Sequence, residues 1–155
     1  MIFYSVFTKS NHWPRRVSRV NIIIKKILTY KKELKFTPKK NYYCNIILAN
    51  DKFIKKLNYK YKKNNKTTDV LTFVSKIYNK NNIEEKYCDI IFSVDTIKRD
   101  IRKNNIEFYD HLTHLIIHSF LHINDFMHNK FKEYLIMKNV EIKILKKMKI
   151  ENPYY

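Results

Sequence analysis

Five of the six histidines lie between positions 111 and 128, and three of them, His118, His122 and His128, are spaced H-x3-H-x5-H. Imidazoles four residues apart on a helix point the same way, and a third beyond the helix end can fold back to complete a three-nitrogen metal site. Asn124 and Asp125 stand between His122 and His128. Both residue types enter the left-handed backbone region more readily than most, as a chain reversal there requires. Three neutral nitrogen ligands favour zinc with an open fourth position. A histidine pair at this spacing also occurs as plain core packing, so the third histidine is what points to a metal.

The carrier is residues 107–124, EFYDHLTHLIIHSFLHIN, which lack proline and are long enough for about five helical turns. On a helical projection His111, His114, His118 and His122 share one stripe, while Leu112, Leu115, Ile116, Ile117, Phe120, Leu121 and Ile123 cover nearly every other direction. The pattern predicts a buried helix bearing a row of imidazoles.

Metzincin proteases share the spacing but place a glutamate general base directly after the first histidine. Here that residue is Ser119, and Asp125 stands where a glycine is expected three residues after the second histidine. Peptide hydrolysis by that route is not expected. The segment HSFLHINDFMH, residues 118–128, resembles instead the HGxLHLxGYDH motif of the YbeY family of bacterial endoribonucleases. The three histidines and Leu121 match, Ile123 and Phe126 are conservative, and Ser119, Asp125 and Met127 depart. LNYKYKKNNKTTDVLTFVS, residues 57–75, resembles the family's LNxxYRxKDKPTDVLSFP, and YCDIIFS, residues 87–93, its LGDIVIS. His114 has a family counterpart, and Met137 with Glu141 echoes the M-x3-E of the last helix. The resemblance covers most of the chain from about residue 45 onward.

The chain contains no glycine and is crowded with Lys, Asn, Ile, Tyr and Phe, as AT-rich coding would produce. Ser119, Asp125 and Cys88 occupy glycine positions of the family pattern. Asparagine is then expected to supply most positive-φ turns, at Asn64, Asn65, Asn81, Asn82, Asn104, Asn105 and Asn124. A glycine-free chain has no P-loop and no glycine-rich dinucleotide fingerprint, so no nucleotide cofactor is expected.

A length of 155 residues with 45% hydrophobic content suits one core, and residues 1–155 are read as a single domain. No apolar run approaches the ~20 residues that span a bilayer, and no basic segment followed by a long apolar one opens the chain. A soluble, cytoplasmic protein with no membrane partner is expected. Cys44 and Cys88 lie in strand-like runs without a C-x-x-C pair and read as small buried hydrophobes. Strands are expected at 2–7, 42–49, 70–74 and 89–92. Helices are expected at 18–34 (begun by Ser18), at about 52–60, at 96–103, in the histidine segment and at about 130–149. This is an α/β (α+β) arrangement: a small, mostly four-stranded sheet packed with about five helices, with the histidine-bearing helix buried at the centre. The family resemblance implies the same.

Thirty-two basic against 14 acidic residues give a formal charge of +18, which favours a polyanionic partner. Two lysine clusters stand out. Lys60, Lys62, Lys63 and Lys66, expected in the loop before TTDVLTF, coincide with a family motif; Lys60, Lys63 and Lys66 are read as substrate-binding. Lys143, Lys146, Lys147 and Lys149 are read as solvated surface. Tyr59 and Tyr61 could stack unpaired bases or pack on the sheet. At position 62 the family has arginine, implied to hold the phosphate near the metal; Lys62 keeps the charge but loses the paired donors. Lys62 and His114 are the catalytic candidates, His114 either as general base or as a buried residue orienting its neighbours. Asn58, Thr68 and Asp69 match the motif and read as supporting residues.

The resemblance implies a zinc-dependent endoribonuclease specific for single strands, with one Zn²⁺ per chain. It implies action in ribosomal RNA processing, at the small-subunit 3′ end, and in ribosome quality control. Two other readings share the histidines. One is a metal-dependent hydrolase of another substrate; the other is a non-catalytic RNA- or ribosome-binding factor with a structural zinc.

Overall fold

The structure, a computed structural model, describes residues 1–13 and 17–154. The elements run β1 (Ile2–Thr8), α1 (Val17–Leu28), β2 (Asn41–Ala49), α2 (Asp51–Lys62), β3 (Val70–Tyr78), β4 (Glu84–Ser93), α3 (Val94–Asn104), α4 (Phe108–Ile123) and α5 (Phe131–Lys147). The strands form one sheet in the order β1-β2-β4-β3, with β1, β2 and β4 parallel and β3 antiparallel to β4. Among the described residues this is the expected four-stranded α+β architecture with five helices.

Period-two alternation decides which face of the sheet is core. Tyr42, Cys44, Ile46 and Leu48 of β2, and Lys86, Cys88, Ile90 and Phe92 of β4, are buried on one side. The apolar members of that face join one cluster with Ile24 and Ile27 of α1, Leu112, Ile116 and Phe120 of α4, and Met137, Ile144 and Leu145 of α5. Helix α4 is apolar around most of its girth and lies at the centre of this cluster, as its sequence predicts. On the opposite face α2 covers only one end, where Ile54 packs with Ala49, Leu71 and Ile91. Cys44 and Cys88 are buried free thiols, partners in the parallel register. Among the described residues no helix is long and apolar enough to cross a membrane.

Three expectations are corrected. Helix α1 ends not at 34 but at Leu28, where the Thr29 hydroxyl donates to the Lys26 carbonyl (2.7 Å) and i→i+3 bonds tighten the last turn. The buried Leu34 reaches the core from a turn. Strands β3 and β4 outrun their apolar segments, with Val70↔Phe92 through Tyr78↔Glu84 paired around a turn in which Asn79 accepts from the Asn81 and Ile83 amides. Hairpin pairing holds the polar extension where burial does not. Among the described residues positive φ falls at Lys35, Lys63, Asn82, Asn105, Asp125 and Lys149, so asparagine supplies two of the six and not most. Lysine carries three despite its Cβ. At Lys63, which closes α2, amide bonds to the Asn58 and Tyr59 carbonyls offset a cost of about 1–2 kcal/mol.

Lys86 lies on the core face by alternation and is 1% exposed. Its ammonium donates to the Ile123 carbonyl (2.6 Å) and to Asp125 (3.0 Å), and Lys76 donates to the other oxygen of Asp125 (2.7 Å). A buried cation thus satisfies the end of α4 and fixes the residue that turns the chain. Lys86→Met keeps the side-chain volume but leaves the carbonyl unpaired. Chemical denaturation should show a loss of about 1–3 kcal/mol; stability equal to wild type would mean that Lys86 does not hold this turn.

Candidate metal centre

Helix α4 begins at Glu107, whose carboxylate accepts from the Tyr109 (2.6 Å) and Asp110 (3.0 Å) amides, and ends at Asn124. Both caps fall at the ends of the segment read from sequence. Successive imidazoles line one side, with ring centroids 6.4 Å apart from His111 to His114 and from His114 to His118, then 4.5 Å from His118 to His122. The Asp125 amide bonds to the His122 carbonyl (3.1 Å) and the Phe126 amide to that of Leu121 (3.1 Å). With Asp125 at φ 66°, this tight reversal returns His128 to the other two rings, 5.4 Å from His118 and 4.8 Å from His122. Asp125 performs at this turn the task usually left to glycine. Among the described residues one nitrogen each from His118, His122 and His128 lies within 4.8 Å of the others.

The hydrogen bonds behind these rings decide which nitrogens face inward. Glu141 of α5 is fully buried and contacts His118 Nδ1 (2.6 Å) and His114 Nε2 (3.0 Å). The Tyr154 hydroxyl also donates to it. Burial alone would raise the Glu141 carboxyl, but the hydrogen bonds from His114 and His118 outweigh it and bring it down to about 2. A carboxylate only accepts, so His118 carries its proton on Nδ1 and presents the Nε2 lone pair. The Phe126 carbonyl likewise accepts from the Nδ1–H of His122 (2.9 Å), which leaves Nε2 unprotonated. The two Nε2 atoms face each other at 2.9 Å. Burial, and then the proximity of His118, push His122 down to about 4, so it is neutral at pH 7 as a ligand must be. Two unprotonated lone pairs aimed at one point, with a third imidazole beside them, suit a cation bound by nitrogen.

A cavity of about 510 Å³ opens over this cluster, lined in part by Lys62, Thr68, Asp69, His118, His122 and His128. Lys60 and Lys62 belong to the last turn of α2 and Lys63 caps it, which corrects their expected place in the loop; the helix continues two residues beyond its expected end. Lys66 does lie in the loop, held by the Asn58 amide donating to its carbonyl (2.9 Å). Lys60, Lys63 and Lys66 are exposed and do not line the cavity. Tyr59 and Tyr61 are exposed, with the Tyr61 ring 5.1 Å from Phe73. His114 faces Glu141 and Tyr154 and is not part of the cavity lining. Lys143, Lys146, Lys147 and Lys149 are exposed on and just beyond α5. Sequence reasoning assigned Glu141 no contact and passed over Tyr154; the M-x3-E match was a signal for the first, and nothing flagged the second.

Fold and site together describe an α+β protein whose central helix and following turn present three imidazoles beneath an open cavity. A family model described as Endoribonuclease YbeY matches residues 7–149. Over 155 residues the chain is 36% identical to an Endoribonuclease YbeY of Ehrlichia chaffeensis, covering 98% of this chain and 90% of that protein. It is 31% identical to one of Anaplasma phagocytophilum, covering 96% and 95%. The solution structure of a Thermotoga maritima protein shares the fold with a TM-score of 0.58 at 18% identity, covering 100% of this chain and 99% of that one. The chain belongs to the Endoribonuclease YbeY family.

If Glu141 sets the tautomer of His118, Glu141→Gln should weaken metal binding by roughly 10–100-fold while leaving the far-ultraviolet dichroism unchanged. Competition with a chromophoric chelator measures this. Equal affinity would show that the carboxylate has no hold on the ligand.

Proposed function

We propose that this chain, acting as one domain over residues 1–155, is a zinc-dependent endoribonuclease that cuts single-stranded RNA during ribosomal RNA maturation. The observation that carries the reading is the convergence of His118 and His122 Nε2 with His128 at the floor of a cavity that Lys62 also lines. His118, His122 and His128 would hold Zn²⁺, since three neutral imidazoles with space beside them suit zinc better than hard cations. When bound, zinc supplies Lewis-acid polarisation of a phosphoryl oxygen and acidifies water.

The chain's own residues do the remaining work. Lys62 projects a cation at the rim of the same cavity, where it would neutralise a phosphodiester placed over the histidines. Lys60, Lys63 and Lys66 extend that charge along the end of α2 and the following loop and would track the RNA backbone outside the cavity. Tyr59 and Tyr61, exposed beside them, offer faces to unpaired bases. His114 is assigned a positioning role, because its Nε2 is engaged by Glu141 and turned from the cavity. Action on ribosomal RNA rests on family membership together with the +18 charge, and a ribosome-bound setting follows from that substrate.

The test is single-turnover cleavage of a small-subunit ribosomal RNA 3′-end fragment, with metal content measured on the same samples. His122→Ala should lose both zinc and cleavage. Lys62→Ala should keep its zinc and cleave slower by ~2 to 4 kcal/mol of barrier, and Lys62→Arg should equal or exceed wild type. Full zinc in His122→Ala would remove the metal assignment, and equal rates for all three residues at position 62 would remove Lys62 from the chemistry.

A further inference from the structure

Three elements meet further along the histidine row, toward the N-terminus of α4. Asp69 ends the loop before β3, Asp100 lies on α3 and His111 lies in the first turn of α4; one ligand atom from each stands within 4.8 Å of the others. All three residues are half-buried. Asp69 accepts from the Thr68 hydroxyl (3.2 Å) and the Val70 amide (2.8 Å) through the same oxygen, Oδ1, which fixes the carboxylate.

His111 is the telling member. Both of its ring nitrogens are shut off from solvent and neither has a hydrogen-bond partner. Among the described residues the only other buried side-chain nitrogen or oxygen in that condition is Glu84 Oε1. A neutral imidazole always offers one lone pair, and buried polar atoms are otherwise paired. Arg99 and Lys103 act on Asp100 from nearby but do not outweigh burial and the second carboxylate. Burial, and then the negative charge of Asp69, push the Asp100 carboxyl up, and burial pushes His111 down and keeps it neutral. A cation between them would satisfy the imidazole and both carboxylates together.

We infer that Asp69, Asp100 and His111 form a second divalent-cation site, separate from the three-histidine cluster. Its mixed set of two carboxylate oxygens and one imidazole nitrogen suits an ion of the Mn²⁺ type better than the all-nitrogen set beside it does. His111 and His118 are seven residues apart, a helical rise of about 10 Å, whereas ions that share one phosphoryl group sit ~3.5–4 Å apart. The second ion is therefore not half of a two-metal clamp. It ties the Asp69 loop to α3 and α4, and because Asp69 also lines the cavity with Lys62, it stiffens the wall that substrate would meet.

The inference does not rest on the endoribonuclease reading, and its test separates the two sites. Protein carrying one zinc is titrated with Mn²⁺, and free Mn²⁺ is read from its paramagnetic resonance. Wild type should take up one Mn²⁺ per chain at up to millimolar metal. Asp100→Asn and His111→Ala should bind it roughly tenfold or more weakly, with their zinc retained. His122→Ala, impaired only at the first site, should still take up this Mn²⁺. Asp100→Asn preserves the side-chain shape and decides the matter if His111→Ala does not fold. No Mn²⁺ uptake by wild type, equal uptake by Asp100→Asn, or uptake abolished by His122→Ala but not by Asp100→Asn would each overturn the site.

Discussion

A buried carboxylate governs how the two C-terminal helices meet and what the histidine row can do. Glu141 has no exposed surface, so its charge persists only because His114, His118 and Tyr154 bring donors to it. Without those donors, desolvation would force it to protonate. The same contacts tie α5 and the C-terminal segment to α4, and they direct the lone pair of His118 toward His122. Packing and site chemistry thus share one group. A substitution at Glu141 is felt at His118 even though the residue lies outside the three-histidine cluster.

The opposite end of α4 is held by a second buried charge. Lys86 satisfies the Ile123 carbonyl and anchors Asp125, and Asp125 in turn permits the reversal that returns His128. In a chain without glycine this turn needs help that a glycine would not. The lysine supplies it from a strand distant in sequence. Helix α4 is therefore fixed by Glu107 at its start, Glu141 along its side and Lys86 at its end, while its apolar girth sits in the core. A rigid, buried helix is a precise place to mount ligands, because the rotamers of its side chains are restricted by packing on every side.

What the sequence made legible follows from the range of the interactions. The histidine spacing, both caps of α4 and the sheet-helix composition are local patterns, and the structure presents the architecture they imply. Lys86 lay outside the strand expected at 89–92, and its role required knowing both that β4 starts at Glu84 and that the end of α4 lies within reach. Glu141 and Tyr154 reach the site from 23 and more residues away along the chain; the M-x3-E match hinted at the first but not at its contact, and nothing hinted at the second. Errors at element ends have equally physical causes. Thr29 halted α1 through its own hydroxyl, and β3 and β4 were lengthened by pairing with each other where neither is apolar. Composition misled at the turns: asparagine is abundant, but at Lys63, Asn105, Asp125 and Lys149 the positive φ was decided by where a helix ended, whatever residue stood there.

The central claim is that hydrogen bonds from behind fix His118 and His122 to bind metal through Nε2. Nitrogen-15 resonance of the histidine rings in zinc-loaded protein tests it directly. Both residues should keep a slowly exchanging proton on Nδ1, with the His118 proton released into faster exchange in Glu141→Gln, and the zinc-induced shift should fall on Nε2. Zinc-induced shifts on Nδ1 of either ring, with the proton on Nε2, would contradict it.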